Sequence, residues 1–207
     1  RAAPPSDMVF AALLLAIGTV DLATFDGSAP HIWSVENDPV MGGQSFSNFS
    51  VITTPEGRAV GEWIGQCRIV PSLGAPGFTI ALTESPALAK FPSAADEDGL
   101  LVTVRNLAGS ITSFKVAFCD THTNPYRCQF GTFKANFTMV ASDEFQTAFV
   151  PWDKFSDQWD PATGEHTAED PPTAKSLASI SQVQLWVEGV EGDFHLWIEG
   201  VRAGKMP

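Results

Sequence analysis

Large apolar residues recur at every second position in short runs, and this period-two alternation constrains the chain to strands. Phe78, Ile80 and Leu82 alternate with Thr79 and Ala81, Phe114, Val116 and Phe118 with Lys115 and Ala117, and Phe133, Ala135, Phe137 and Met139 with Lys134, Asn136 and Thr138. In each run the larger residues are expected to face a core. Noisier runs of the same kind occur at residues 46–52, 59–69, 100–105, 145–150, 180–188 and 194–201, which makes about nine strands. Helices long enough to connect parallel strands are not in the pattern, so the expected fold is an all-β, antiparallel β-sandwich or jelly roll. Fifteen Phe and six Trp against a single Tyr supply ample material for the space between two sheets.

The exception is residues 8–20, an unbroken apolar run too short to cross a bilayer as a helix. Ser6 or Asp7 is placed to cap a short N-terminal helix and Gly18 to end it. Such a helix is apolar all round, so something must cover it: the sandwich itself, another protein, or a membrane face. Leu13, Leu14 and Ile17 are its candidate partner-binding residues. Residues 1–23 therefore read as a docking segment and 24–207 as one sandwich domain. A first residue other than Met fits removal of an upstream targeting sequence, and with it an organellar setting peripheral to a membrane.

A formal charge of −12 disfavours nucleic acid and polybasic attachment to anionic lipid. Dinucleotide, P-loop, nucleophile-elbow and zinc-protease motifs are absent, and the four histidines are dispersed. No catalytic residue, metal site or cofactor is expected. The run Asp96, Glu97, Asp98 has Ca²⁺-ligand chemistry, but a solvated loop explains it more simply. Cys119 and Cys128 can pair across a turn-rich segment or remain free thiols, and Cys67 reads as a small core residue. Trp63, Trp152, Trp159, Trp186 and Trp197 are sugar-stacking candidates, and for most of them core packing is the simpler account. Trp159 differs, because it sits in the polar segment 156–175 and is expected to project toward a partner.

The most unusual local sequence is Asn37-Asp38-Pro39-Val40-Met41-Gly42-Gly43-Gln44-Ser45, preceded by Phe25-Asp26-Gly27 and Trp33. Asn37 and Asp38 can bond nearby backbone N–H groups, Pro39 fixes one dihedral, and Gly42 with Gly43 allows positive φ and close approach. This nine-residue signature resembles that of the NADH:ubiquinone oxidoreductase intermediate-associated protein 30 family, assembly factors of respiratory complex I. The stretches 149–155 and 192–202 resemble the same family. The resemblance implies a galactose-binding-like jelly roll, kinship with family 11 carbohydrate-binding modules, and protein subunits of a membrane electron-transfer complex as partners, respiratory or photosynthetic. The expected function is accordingly a non-catalytic accessory or assembly subunit, with a carbohydrate-binding module as the alternative.

Overall fold

The computed structural model describes residues 18–84, 91–120 and 132–206. Leu13, Leu14, Ile17, the expected N-terminal helix and Cys128 lie outside the described residues. Eleven strands occur among those that are described: β1 (Val20–Thr24), β2 (Trp33–Asn37), β3 (Phe46–Thr53), β4 (Ala59–Cys67), β5 (Phe78–Thr83), β6 (Gly99–Gly109), β7 (Ser113–Asp120), β8 (Phe133–Thr138), β9 (Gln146–Pro151), β10 (Ile180–Glu188) and β11 (Gly192–Gly204). They form two antiparallel sheets, one ordered β3-β4-β11-β6-β9 with β1 also on β11, the other β2-β5-β10-β7-β8. The fold is the expected β-sandwich.

Between the sheets lie Trp63, Phe114, Phe118, Phe155 and Phe194, all fully buried. Trp63 meets Phe194 edge-on at 4.6 Å, a favoured aromatic geometry that ties β4 to β11. Two strands went unread in the sequence. β1 begins inside the apolar run and ahead of residue 24, pairing Val20 with Ala203, so the sandwich starts earlier than expected. β2 runs directly into the signature turn.

The expectation for β5 is inverted. Ala81 pairs with Leu185 of β10, a core residue, and Thr79 with Val187, so the small residues of β5 face inward. Phe78, Ile80 and Leu82 lie on the outer face, where Ile80 pairs with Trp186 and Leu82 with Gln184. Alternation distinguishes two faces of a strand, but it assigns the core side only when the other face is wet.

The signature is a staple of the fold. Asn37 ends β2, a short 3-10 turn covers Asp38–Met41, and Gly42 takes φ 89°, a left-handed conformation suited to glycine. Asp38 is buried and its carboxylate accepts from Ser45 N (2.8 Å), Ser45 Oγ (2.6 Å) and Phe78 N (3.0 Å). Ser45 Oγ in turn accepts from Arg68 N (2.9 Å). One carboxylate thus joins the approach to β3, the chain following β4, and the start of β5. Gly43 is required by that arrangement, since a Cβ there would lie 2.1 Å from Asp38 Cγ. Asn37 Oδ1 accepts from Ser47 Oγ (2.8 Å), adding a second tie from β2 to β3.

Other polar expectations resolve locally. Asp26 accepts from Ser28 N (3.0 Å), from Ser28 Oγ (2.7 Å) and from Thr24 Oγ1 (2.9 Å), which together hold its pKa at about 2. In the Asp96–Asp98 run, Lys205 Nζ approaches Asp96 O and sits 3.4 Å from Asp98 Oδ1, so an ammonium takes the place considered for Ca²⁺. Cys119 is disulfide-bonded, while Cys67 is a free, buried thiol whose pKa burial raises to about 11.

His31 yields a pH prediction. Its ring stacks on Phe91 at 4.5 Å, and Nε2 contacts Leu22 O at 2.9 Å. Burial, partly opposed by that hydrogen bond, lowers its pKa below the ordinary 6.5. The unfolded chain then binds the proton more readily, so the stabilisation from neutral His31 is present above pH 6.5 and is lost as pH falls below it. Substituting His31→Gln is expected to flatten the fall in stability below about pH 6.5 in denaturation series.

Candidate functional site

The cavity beside the signature turn, lined by Asp38, Gly43, Leu73, Pro76 and Phe78 among others, holds only ≈ 90 Å³. Ligand pockets run to roughly 300–1,000 Å³, so this one serves packing. The distinctive chemistry lies instead on the outer face of the five-stranded sheet.

Cross-strand register sets that face out in rows. One row reads Ser34, Leu82, Gln184, Ala117 and Lys134 from β2 to β8, and the next reads Glu36, Ile80, Trp186, Lys115 and Asn136. Phe78 pairs with Glu188 beyond them, and Gln182 with Cys119 before them. Along β10, period two therefore puts Gln182, Gln184, Trp186 and Glu188 in file on one side.

These side chains hold one another in place. Trp186 Nε1 donates to Gln184 Oε1 (2.7 Å), Gln184 Nε2 to Gln182 Oε1 (2.6 Å), and Gln182 Nε2 to Thr83 O (2.9 Å). Lys115 Nζ and Lys134 Nζ both donate to Glu188 Oε2 at 2.9 Å, and the three side chains are only 8%, 9% and 8% exposed. Lys134 Nζ also lies 4.4 Å from the Trp186 ring centroid and 4.6 Å from that of Trp159. Burial lowers the Lys134 pKa below its ordinary 10.5, with Glu188 pulling upward and the Lys115 charge adding to the decrease.

The covering element is the segment following β9. Ser156 and Lys134 exchange backbone hydrogen bonds at 2.9 and 3.1 Å, Lys115 Nζ donates to Gly164 O (2.9 Å), and Trp159 Nε1 donates to Ser156 O (2.6 Å). A Cβ on Gly164 would lie 2.8 Å from Glu188 Cδ, so glycine lets the segment lie flat. Trp159, expected to project from a solvated insertion, is folded back with its ring over both lysines. Most of 156–175 is exposed, as its acidic composition suggests, but the backbone bridge from Ser156 to Lys134 that accompanies the folded-back Trp159 is invisible in sequence.

The remaining tryptophans sort by face. Trp63 is core, and Trp152 donates Nε1 to Glu97 O at 2.7 Å while packing on Phe118 and Phe155. Trp197 lies on the outer side of the other sheet, bonded to Glu62 (3.2 Å) with Arg105 stacked 5.2 Å from its centroid. Of the five sugar-stacking candidates, Trp186 and Trp159 join the site. Lys115, Lys134, Glu188, Gln182 and Gln184 were not singled out from sequence. The period-two file 182-184-186-188 was the available signal for the β10 members.

No family model matches the chain, and no curated protein matches it. Solved structures do. The family 11 carbohydrate-binding module of Clostridium thermocellum, in complex with a β-1,3-1,4-mixed-linked tetrasaccharide, aligns with TM-score 0.60 and 10% identity over 92% of this chain and 97% of that one. The chain shares this module's fold. The family 30 carbohydrate-binding module of a cellulosomal cellulase of the same organism aligns with TM-score 0.54 and 12% identity over 91% and 98%.

These matches correct the expectation of an accessory or assembly subunit of a membrane electron-transfer complex. That expectation rested on the nine-residue signature, and the structure gives the signature a different job. Asn37, Asp38, Gly42, Gly43 and Ser45 close the sandwich through backbone and buried hydrogen bonds, so the motif has a role in the fold itself.

Proposed function

We propose that the protein is a non-catalytic carbohydrate-binding module that takes a glycan on the outer face of its five-stranded sheet. The observation that carries this reading is the file along β10, where an indole is followed by two hydrogen-bonded glutamines, flanked on β5 by Phe78 and Leu82. A sugar ring offers an apolar C–H face and a girdle of hydroxyls. An indole with apolar neighbours takes the first, and the buried amides of Gln184 and Gln182 fix the indole's orientation through its Nε1. The β2–β5 half of the face gives access: Ser34, Phe78, Leu82 and Trp186 are half-buried and Glu36 is exposed. The full-length alignment with modules that include one solved with a bound tetrasaccharide supports the same reading.

Calorimetric titration with mixed-linked β-glucan oligosaccharides and a panel of other soluble glycans tests it. Replacing Trp186 by Ala is expected to weaken binding of a bound glycan by about tenfold or more, roughly 1.4 kcal/mol. Trp197→Ala, on the opposite outer surface, is expected to leave affinity unchanged. If no glycan in the panel binds the wild-type protein, the reading is wrong.

A further inference from the structure

We infer that the glycan is anionic, and that Lys134, together with Lys115, receives its carboxylate or sulfate group beside Trp186. The inference rests on the glycan reading and deepens it.

Its basis is an uneven charge count. Two ammonium groups are buried against a single carboxylate, and they share one of its oxygens. Among the described residues Glu188 is their one anionic partner, so one positive charge of this cluster is left over, and Glu36, the other acid on the face, is exposed on the edge strand β2. The excess stands out on a chain of formal charge −12. Lys115 spends one further N–H on Gly164 O. Lys134 makes one hydrogen bond from Nζ, to Glu188, and its other directions meet the rings of Trp186 and Trp159. Ring faces attract a cation without neutralising it.

Buried ion pairs contribute little net stability, and a pair with a surplus cation contributes less. The cost is expected where a ligand supplies the missing charge. The position fits as well: Trp186 is half-buried, and its ring is 4.4 Å from Lys134 Nζ, so a sugar stacked there puts a ring substituent next to the ammonium. The opposite flank of Lys134 is Trp159, whose ring packs on His166 at 5.3 Å. His166 Nε2 is buried without a hydrogen-bond partner among the described residues, a second polar group left for a ligand atom. Segment 156–169 would give up the Trp159 contact and keep its backbone pairing with Lys134.

The test is calorimetry on the whole chain with three probes: an oligogalacturonate for the carboxylate, a carrageenan oligosaccharide for the sulfate ester, and a neutral mixed-linked β-glucan tetrasaccharide. At low salt one anionic probe is expected to bind at least about tenfold more tightly than the neutral one, and the advantage is expected to shrink as salt is raised to ~0.5 M. Which of the two acids binds identifies the group. Lys134→Met is expected to remove the advantage and Lys134→Arg to retain most of it. Glu188→Gln, read below its own thermal midpoint, is expected to tighten anion binding several-fold by removing the internal competitor. An acceptor of neutral hydroxyls at Glu188 would instead bind worse. Equal or tighter binding of the neutral probe, or an anion preference untouched in Lys134→Met, overturns the inference and leaves the glycan reading in place. Failure of all three probes and of the wider panel removes both.

Discussion

Asp38→Ala is expected to destabilise the protein by about 3–5 kcal/mol, read as a lowered midpoint in chemical denaturation at unchanged slope. The side chain accepts from three donors at 2.6–3.0 Å in a buried setting, and two of them are backbone N–H groups, of Ser45 just before β3 and of Phe78 at the start of β5. Ser45 Oγ can turn to Arg68 O, 3.2 Å away, but the two amides have no such choice. Each buried donor left without an acceptor costs roughly 1–3 kcal/mol. The same geometry makes the effect of Gly43→Ala depend on its neighbour. The three atoms that a methyl at 43 would meet first all belong to the Asp38 carboxylate, so Gly43→Ala is expected to be severe alone and milder in the Asp38→Ala background. A loss below about 1 kcal/mol for Asp38→Ala, or additivity of the two changes, would refute the staple.

Removing the carboxylate from the lysine pair is expected to be as costly. Glu188→Ala leaves Lys115 and Lys134 buried with no anion, and breaking such a pair on one side typically costs about 3–5 kcal/mol. The deficit depends on pH with a definite sign. Lys134 titrates below its ordinary 10.5 through burial, and Glu188 supplies the main upward pull, so deleting Glu188 depresses that pKa further. Folding then disfavours the charged form, and stability lost at neutral pH is recovered as pH rises toward 10.5. Replacing all three members together, as Lys115→Met, Lys134→Met and Glu188→Leu, removes the buried charges and is expected to restore stability to within about 1.5 kcal/mol of wild type, with anion binding gone. Urea denaturation at two pH values distinguishes these outcomes. Glu188→Ala as stable as wild type at neutral pH would show that the cluster is solvated.

Much of the fold is legible in the sequence because side-chain alternation and sheet layering are the same fact seen at two scales. Phe114, Val116 and Phe118 pack inward as their spacing predicts. The misreading of β5 has a physical source: Thr79, Ala81 and Thr83 are fully buried while Phe78 and Leu82 are half-buried, because both sides of the five-stranded sheet are partly covered. Hydrophobic bulk then stops marking the core side of the strand. The candidate site was less legible. Gln182 to Glu188 stand in file by local periodicity, but Lys115 and Lys134 reach Glu188 only because the strand order is β10-β7-β8, which connectivity rather than composition decides. The signature turn was visible as a shaped turn from its Asx, Pro and Gly residues. What it shapes became clear only when Phe78, forty residues on, proved to be one of its donors.

The order of the six-stranded sheet bears on how the chain is made. β11 takes hydrogen bonds from β1, β4 and β6, yet follows all three in sequence. During synthesis those earlier segments must wait with bare edges until the last one threads between them. Long-range closure of this kind is slow, and unpaired edges recruit other chains. Nascent molecules halted before residue 192 are therefore expected to clump, and a chaperone that shields the bare edges would raise yield.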